Sequence, residues 1–552
     1  MLNIALIFPL KYRKFYINPF YLQKVEGLLL EAFSADQIKT VLLDKNTDDY
    51  YQLLNSSSPY DLILLDTPAG EIESVTSVLN EIDTKSALLI GETIKYGCAK
   101  ALLQDLQKDY TFQILGCSDD NGILEYIRTM VNGDIRNGIP GLMYFEQDIF
   151  YENPVDPKKD YQKHLLLNFE DNIIKCYEKT GIQIFMEGIS NGCENQCSFC
   201  KLNNSTVISR KVVPSCINIA DTLSLLEKKC KKKLFIQFTD ENFFGGGMNR
   251  LNAVKKLCSE LKVINYKGKF GIDTRLDSII NTSDSTVKQQ ERERIWKMFS
   301  SCGLKYCFLG LETFHQNQAK RYHKNLDLTN FHKAIAFLEE NNIIYTIGLI
   351  LWDPLMNVQE LESNLDFIYH NNLFGKTASL LKKMRIQANS IYFKENIFKE
   401  NIFKDEIIYH ADDYFNINEE DIVYHDQTIQ GILPYVDSVY KLFDGCGYRH
   451  SDVTLFSALY DESTPDILKH IPYKISVLEF VILKYLLKNE DLSDESKVKN
   501  EISRLCIETV SDIHHSLDSL NDIAEYDLEL QSIITYYQTV FSKIYIRLKD
   551  FL

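Results

Sequence analysis

The sequence predicts an α/β protein built from a doubly wound parallel sheet, a second β/α array and a mostly helical C-terminal domain. Three observations carry this. Apolar runs of strand length alternate with amphipathic segments over residues 1–135, the alternation resumes after a Pro- and Lys-containing stretch at 152–163, and helical periodicity takes over from about residue 400. At 552 residues, 45% hydrophobic and 25% charged, the chain has the length and balance for several folded domains.

In the first part IALIFPL reads as a buried strand, followed by the helical pattern YLQKVEGLLLEAF. Strands IKTVLLD, YDLILLD, SALLIGE and TFQILG follow in turn, separated by helices at YYQLL, VTSVLNEI and CAKALLQDLQ and closed by ILEYIRTMV. Five buried strands with helical crossovers give a Rossmann-like domain over 1–138. Ligands of such sheets bind beyond the carboxyl ends of the strands, here Pro9, Asp66-Thr67-Pro68-Ala69-Gly70, Gly91-Glu92-Thr93 and Gly116-Cys117-Ser118. Taken singly these are ordinary turn residues.

A connector spans 139–182. The second array, 183–395, reads as strands IQIFMEG, KLFIQFTD, KFGIDTR, KYCFLGLE and IIYTIGLIL, with helices near 217–230, 249–262, 286–300 and 328–341. Its length suits a partial or complete parallel barrel, whose active residues lie at strand ends. Residues 396–552 form the helical domain, which ends on the amphipathic run SIITYYQTVFSKIYIRL.

Asp and Glu total 77 against 60 Lys and Arg, a formal charge of -17, which argues against generic affinity for nucleic acid or an anionic membrane. No apolar run reaches the roughly 18 residues of a bilayer span, and no basic segment precedes the first one. The chain is therefore expected to be cytoplasmic. Thirteen cysteines there are expected to be mostly thiols, and a close group among them points to a metal or redox site.

Such a group follows the strand IQIFMEG: Cys193, Cys197 and Cys200 in Gly188-Ile189-Ser190-Asn191-Gly192-Cys193-Glu194-Asn195-Gln196-Cys197-Ser198-Phe199-Cys200. The expected chance count of this C-x3-C-x2-C spacing is about 0.007 on cysteine frequency alone. Three thiolates on one loop hold three irons of a [4Fe-4S] cubane and leave the fourth open. A structural zinc would need a fourth protein ligand, and Lys201-Leu202-Asn203-Asn204 supplies neither Cys nor His.

These residues resemble the radical S-adenosylmethionine (SAM) enzymes, whose C-x3-C-x2-C loop follows the first barrel strand and carries an aromatic residue before the last cysteine, here Phe199. The resemblance implies a partial (β/α)6 radical SAM barrel in which the open iron chelates SAM, and cleavage to a 5'-deoxyadenosyl radical that removes a hydrogen atom from the substrate. It extends to Asp240 and Glu241 after the second strand, similar to the family's segment near the SAM amino group. Arg275, in an Arg-x-Asp element, and Glu312, in a Gly-x-Glu-Thr sequence, are similar to further SAM contacts, and Gly348–Pro354 resembles the region that packs on adenine. A reductant such as flavodoxin or ferredoxin is implied as electron donor.

The N-terminal domain resembles the cobalamin-binding domain fused ahead of many radical SAM barrels, which implies cobalamin contacts at Pro68, Gly70, Gly91 and Gly116. Gly91-Glu92 and Gly116-Cys117-Ser118-Asp119 stand where related proteins have smaller residues, and no Asp-x-His-x-x-Gly is present. The leading expectation is a cobalamin-dependent C-methyltransferase acting on a peptide or small-molecule natural-product intermediate. A cobalamin-free radical SAM epimerase or rearranging enzyme is the alternative. There Cys446, between two glycines and beside Arg449 and His450, would be an exposed hydrogen donor. A non-catalytic metal-binding scaffold is the third reading.

Overall fold

The computed structural model describes residues 1–11, 18–48, 50–55, 60–69, 71–133, 138–155, 171–180, 183–189, 193–204, 216–245, 247–324, 327–387, 390–397, 416–417, 422–460, 466–489, 492, 494–520 and 528–551. They pack as two compact units. The first comprises Met1–Ile272, Glu291–Gly303 and Arg385–Asp421; the second comprises Asp273–Gln290, Leu304–Met384 and Ile422–Leu552.

The first unit opens with the predicted sheet: β1 (Leu2–Phe8), α1 (Phe20–Ala32), β2 (Ile38–Asp44), α2 (Tyr50–Asn55), β3 (Leu62–Asp66), α3 (Ile72–Glu81), β4 (Ser86–Ile90), α4 (Glu92–Tyr96), α5 (Ala99–Asp109), β5 (Gln113–Cys117) and α6 (Asp120–Asn132). Ile4, Ala5, Leu6 and Ile7 of β1 and Leu62, Ile63, Leu64 and Leu65 of β3 are all fully buried, as strands covered by helices on both faces must be. Asp119 caps α6 by accepting from the backbone N–H of Asn121 at 2.7 Å and of Gly122 at 3.0 Å.

Two strands absent from the sequence reading extend this sheet: β6 (Leu142–Glu146) and β7 (Ile149–Glu152), in the stretch expected to be connector. The order is β2-β1-β3-β4-β5-β6-β7, with β6 antiparallel to β5 and β7 antiparallel to β6. The two-residue turn Gln147-Asp148 has φ of 49° and 64°, the left-handed pair that matches the twist of a hairpin. Stacking of Tyr144 on Tyr151, centroids 5.2 Å apart, fixes its register.

After α7 (Asp171–Thr180) the second array begins with β8 (Ile184–Met186), α8 (Cys216–Lys229), β9 (Phe235–Phe238), α9 (Met248–Val263), β10 (Lys269–Thr274) and α10 (Thr286–Ser301). β8 pairs with β9 and β9 with β10, both parallel. Fully buried Asn18, just before α1, completes the free side of β8: its Nδ2 donates to the Phe185 carbonyl at 3.0 Å and its Oδ1 accepts from the Phe185 N–H at 2.8 Å. An aromatic core of Phe238, Phe243, Phe244, Phe270, Trp296 and Phe299 lies behind β9 and β10, with Phe244 stacked on Trp296 at 3.9 Å.

The second unit contains β11 (Leu304–Glu312), α11 (Gln316–Arg321), α12 (Leu328–Glu340), β12 (Ile344–Leu349) and α13 (Val358–His370). β11 and β12 pair in parallel, with a register shift between Gly310 and Glu312. The sixth strand of the predicted partial barrel is reduced, among the described residues, to two isolated parallel bridges, Ile347 with Thr377 and Trp352 with Lys383. The predicted helical domain follows as α14 (Gln427–Cys446), α15 (His450–Tyr460), α16 (Asp466–Lys488), α17 (Glu495–Asp518) and α18 (Leu528–Phe551). No helix among the described residues is long and apolar enough to cross a membrane.

Candidate functional site

The cysteine loop leaves the carboxyl end of β8 and is fastened at both ends. Thr239, at the end of β9, donates its N–H to the Met186 carbonyl at 3.0 Å, and Tyr392 donates its N–H to the Ser198 carbonyl at 2.8 Å. Cys197 is buried, whereas Cys193, Phe199 and Cys200 are half-buried. The Cys200 N–H donates to the Cys197 carbonyl at 3.0 Å, closing the turn through Ser198 and Phe199. Asn195 Nδ2 donates to Cys193 Sγ at 3.3 Å. Burial, followed by the nearby Cys197 and Cys193, pushes the Cys200 thiol up to about 11. Ser190, Asn191 and Gly192 lie outside the described residues.

The end of β9 meets this loop closely. Gly188 has no room for a side chain: a Cβ there would overlap the Asp240 carboxylate and come within 2.8 Å of the Phe243 ring. Asp240 is almost completely buried, and Glu241 beside it is exposed. Phe243 and Phe244, both fully buried, anchor this segment in the aromatic core.

The carboxyl edge of the N-terminal sheet faces the same loop through charges far apart in sequence. Lys201, directly after Cys200, pairs with Glu92 and lies over the Tyr96 ring at 5.5 Å from its centroid. Lys24 of α1 bridges Asp120 at 3.1 Å and Glu187, just after β8, at 2.6 Å. Asp120 also pairs with Lys95 at 3.2 Å and accepts from the Tyr21 hydroxyl at 3.0 Å. Although burial opposes both charges, the two lysines hold the Asp120 carboxyl far below the usual carboxylate range, and Asp120 with Glu187 raises Lys24. Sequence reading missed Asn18, Tyr21, Lys24, Lys95 and Lys201. Only Lys201, next to the motif, left a local signal.

At the sheet edge, Asp66 ends β3 nearly buried, and burial followed by the charge of Glu92 raises its carboxyl to about 7. Gly91 has φ of +99°, and a Cβ there would overlap Asp66 Oδ1. Pro68 and Ala69 are half-buried, and Gly70 lies outside the described residues. Gly116 is not at an open edge: the space beside its α-carbon is filled by Leu103 and Ile94, at 3.2 and 3.4 Å from a Cβ. Its small size therefore serves core packing. Gly141 closes over Ser118 and Asp119 in the same region, with the Ser118 N–H donating to its carbonyl at 3.0 Å.

In the second unit Arg275 is held by Asp277, with Nε to Oδ1 at 3.1 Å and Nη2 to Oδ2 at 3.0 Å. Glu312 has φ of +76°, a strained conformation for this residue, and accepts from Lys324 Nζ at 2.8 Å. Lys324 also donates to the Gly310 carbonyl at 2.8 Å. In the Gly348–Pro354 segment, Asp353 is fully buried and Oδ2 accepts from Arg321 at 2.8 Å, Tyr322 at 2.9 Å and Gln318 at 3.0 Å. Cys446 departs from expectation: it is the last residue of α14 and buried, not in an exposed turn. The helix runs on through Gly445 and is closed only by left-handed Gly447, at φ 104°, while Arg449 lies 3.9 Å from Asp444.

The donor set of the loop fits an iron–sulfur cubane, being three thiols, the soft ligands such clusters take. Among the described residues no group of three or more His, Cys, Asp or Glu side chains is drawn together tightly enough to hold a metal ion, the three cysteines included, so ligation would have to draw these sulfurs together and take the proton from each thiol. At the edge between β3 and β4 a corrinoid would meet half-buried Pro68 and Ala69 and, at Gly91, a backbone with no side chain in the way.

A 192-residue stretch is 28% identical to 4'-phospho-dehydrooxetanocin synthase of Priestia megaterium, covering 34% of this chain and 26% of that protein. The match thus spans about a quarter of the relative's length. Among solved structures, the cobalamin-dependent S-adenosylmethionine radical enzyme OxsB, with aqua-cobalamin and S-adenosylmethionine bound, is similar with a TM-score of 0.72 and 16% identity over 100% of this chain and 84% of that one. The radical S-adenosylmethionine methyltransferase TsrM from Kitasatospora setae, with cobalamin and a [4Fe-4S] cluster bound, is similar with a TM-score of 0.56 and 13% identity over 71% of this chain and 77% of that one. No protein-family model matches the chain. Its fold is the one these cobalamin-dependent radical SAM enzymes have.

Proposed function

We propose, from that shared fold and from the residues at the two sites, that the chain is a cobalamin-dependent radical SAM enzyme. It acts as a C-methyltransferase on a peptide or other natural-product intermediate. The observation that supports this most directly is the pairing of Lys201, next to Cys200, with Glu92 at the edge of the N-terminal sheet, which links the two candidate cofactor sites. On this reading 1–138, extended by the β6–β7 hairpin, is the corrinoid module, the rest of 139–182 the connector, 183–395 the radical module and 396–552 the helical C-terminal domain.

Cys193, Cys197 and Cys200 would hold the cluster, which together with SAM supplies a 5'-deoxyadenosyl radical. Pro68 and Gly91 would border cobalamin, which supplies the methyl group. Asp240 and Glu241 would orient SAM, and the buried aromatic residues behind β9 would keep water from that strand end. Reduced flavodoxin or ferredoxin would deliver electrons in the cytoplasm. Burial of Cys446 withdraws the exposed thiol on which the epimerase alternative relied.

The test is anaerobic reconstitution of the full chain with iron, sulfide and hydroxocobalamin. Retained corrinoid absorbance and 5'-deoxyadenosine on reduction with SAM are expected, with Cys197→Ala losing cluster absorbance and roughly a hundredfold or more of the 5'-deoxyadenosine. An intact cluster that yields none would overturn the enzyme assignment, and a chain that retains no corrinoid would overturn the cobalamin assignment.

A further inference from the structure

We propose that Cys258 and Cys302 are a dithiol that closes to a disulfide within the folded chain, with a low-molecular-weight disulfide as oxidant, a modification site distinct from the cluster loop. Cys258 lies on α9 and is fully buried; Cys302 directly follows α10 and is 8% exposed. Both belong to the first unit. Cys302 Sγ donates to the Cys258 carbonyl at 3.8 Å, and the two thiols hydrogen-bond to each other. The backbone around Cys302 is fixed, since its N–H donates to the carbonyls of Met298 at 3.1 Å and Phe299 at 3.0 Å. With the Cys302 sulfur held at the backbone of Cys258, the bond needs only a local adjustment of the two side chains.

The pair is asymmetric in reactivity as well as exposure. The hydrogen bond from Cys258, with the Lys262 ammonium and the Ser301 hydroxyl, lowers the Cys302 thiol, while the same contact and burial raise Cys258. Cys302 is therefore the attacking sulfur. Its thiolate attacks one sulfur of the small disulfide and expels the other half as a thiolate, which takes up a proton. Cys258 then loses its proton and attacks the Cys302 sulfur of the mixed disulfide, expelling the second small thiolate. Two protein thiols are oxidised by two electrons, and one small disulfide is reduced to two thiols.

The test treats the reconstituted full chain anaerobically with oxidised glutathione, blocks free thiols with N-ethylmaleimide, and maps tryptic peptides by mass spectrometry. The expected product links Leu257–Lys262 to Met298–Lys305, the tryptic fragments that carry the two cysteines. Cys258→Ser, or Cys258→Ala should the first fold poorly, is expected to stop at a single glutathione adduct on Cys302. Cys302→Ser is expected to give no linked peptide and at least roughly tenfold less adduct at Cys258. Finding both wild-type cysteines alkylated by N-ethylmaleimide, or no adduct on Cys302 in either Cys258 variant, would overturn the proposal.

Discussion

Asp66 ends a hydrophobic strand with a carboxyl group that the fold would rather keep protonated. Its folded-state value of about 7 lies above the ordinary carboxylate value of 3.8, so the folded chain binds more protons between those two values. Stability is therefore lost as pH rises from about 4 to about 7, by up to about 4 kcal/mol for a shift of this size. Asp66→Asn removes the titration. Its denaturant midpoint is expected to match wild type near pH 4 and to exceed it increasingly toward pH 8; parallel pH profiles would refute the assignment. At this scale the sequence was most legible where chemistry is local: three cysteines within eight positions announce themselves. Asp66 looked like a turn residue, because what raises its carboxyl is the covering of the strand end and the presence of Glu92 across the sheet.

Elements were legible through their periodicity, and the expected helices near 217–230, 249–262, 286–300 and 328–341 stand at Cys216–Lys229, Met248–Val263, Thr286–Ser301 and Leu328–Glu340. The β6–β7 hairpin was not read, since four- and five-residue strands beside a Pro-rich stretch resemble a linker and Gln-Asp is an uncommon turn pair. The joining of α1 to β8 was equally hidden, because Asn18 and Phe185 are separated by 167 positions. Asn18→Ala would strip both hydrogen bonds from buried strand backbone, and a loss of about 1–3 kcal/mol in denaturant unfolding is expected. The left-handed Glu312 at the end of β11 rests on Lys324, with 13% and 7% of their side chains exposed. Lys324→Met leaves that carboxylate without its cation and is expected to cost about 3 kcal/mol, measured the same way; a change under about 0.5 kcal/mol would show that the pair does not hold the strand end.

For the whole molecule, the α/β class and the helical C-terminal region could be read from composition and periodicity, whereas its division into two packing units could not. Unit membership follows segments that return from distant parts of the chain, as Glu291–Gly303 and Arg385–Asp421 do in the first unit. The two tryptophans divide evenly, buried Trp296 in the first unit and buried Trp352 in the second. Single-tryptophan variants Trp352→Phe and Trp296→Phe therefore report each unit separately. Two distinct urea midpoints are expected, with hydroxocobalamin raising the one seen by Trp296; coincident transitions that shift together would mean a single cooperative unit. Gly188 bears on any attempt to transplant the cysteine motif. A recipient scaffold given the three cysteines at their spacing, but an alanine at that position, would drive a methyl group into the acid on the neighbouring strand and splay the graft at its root. The minimal portable cassette therefore begins five residues before the first sulfur.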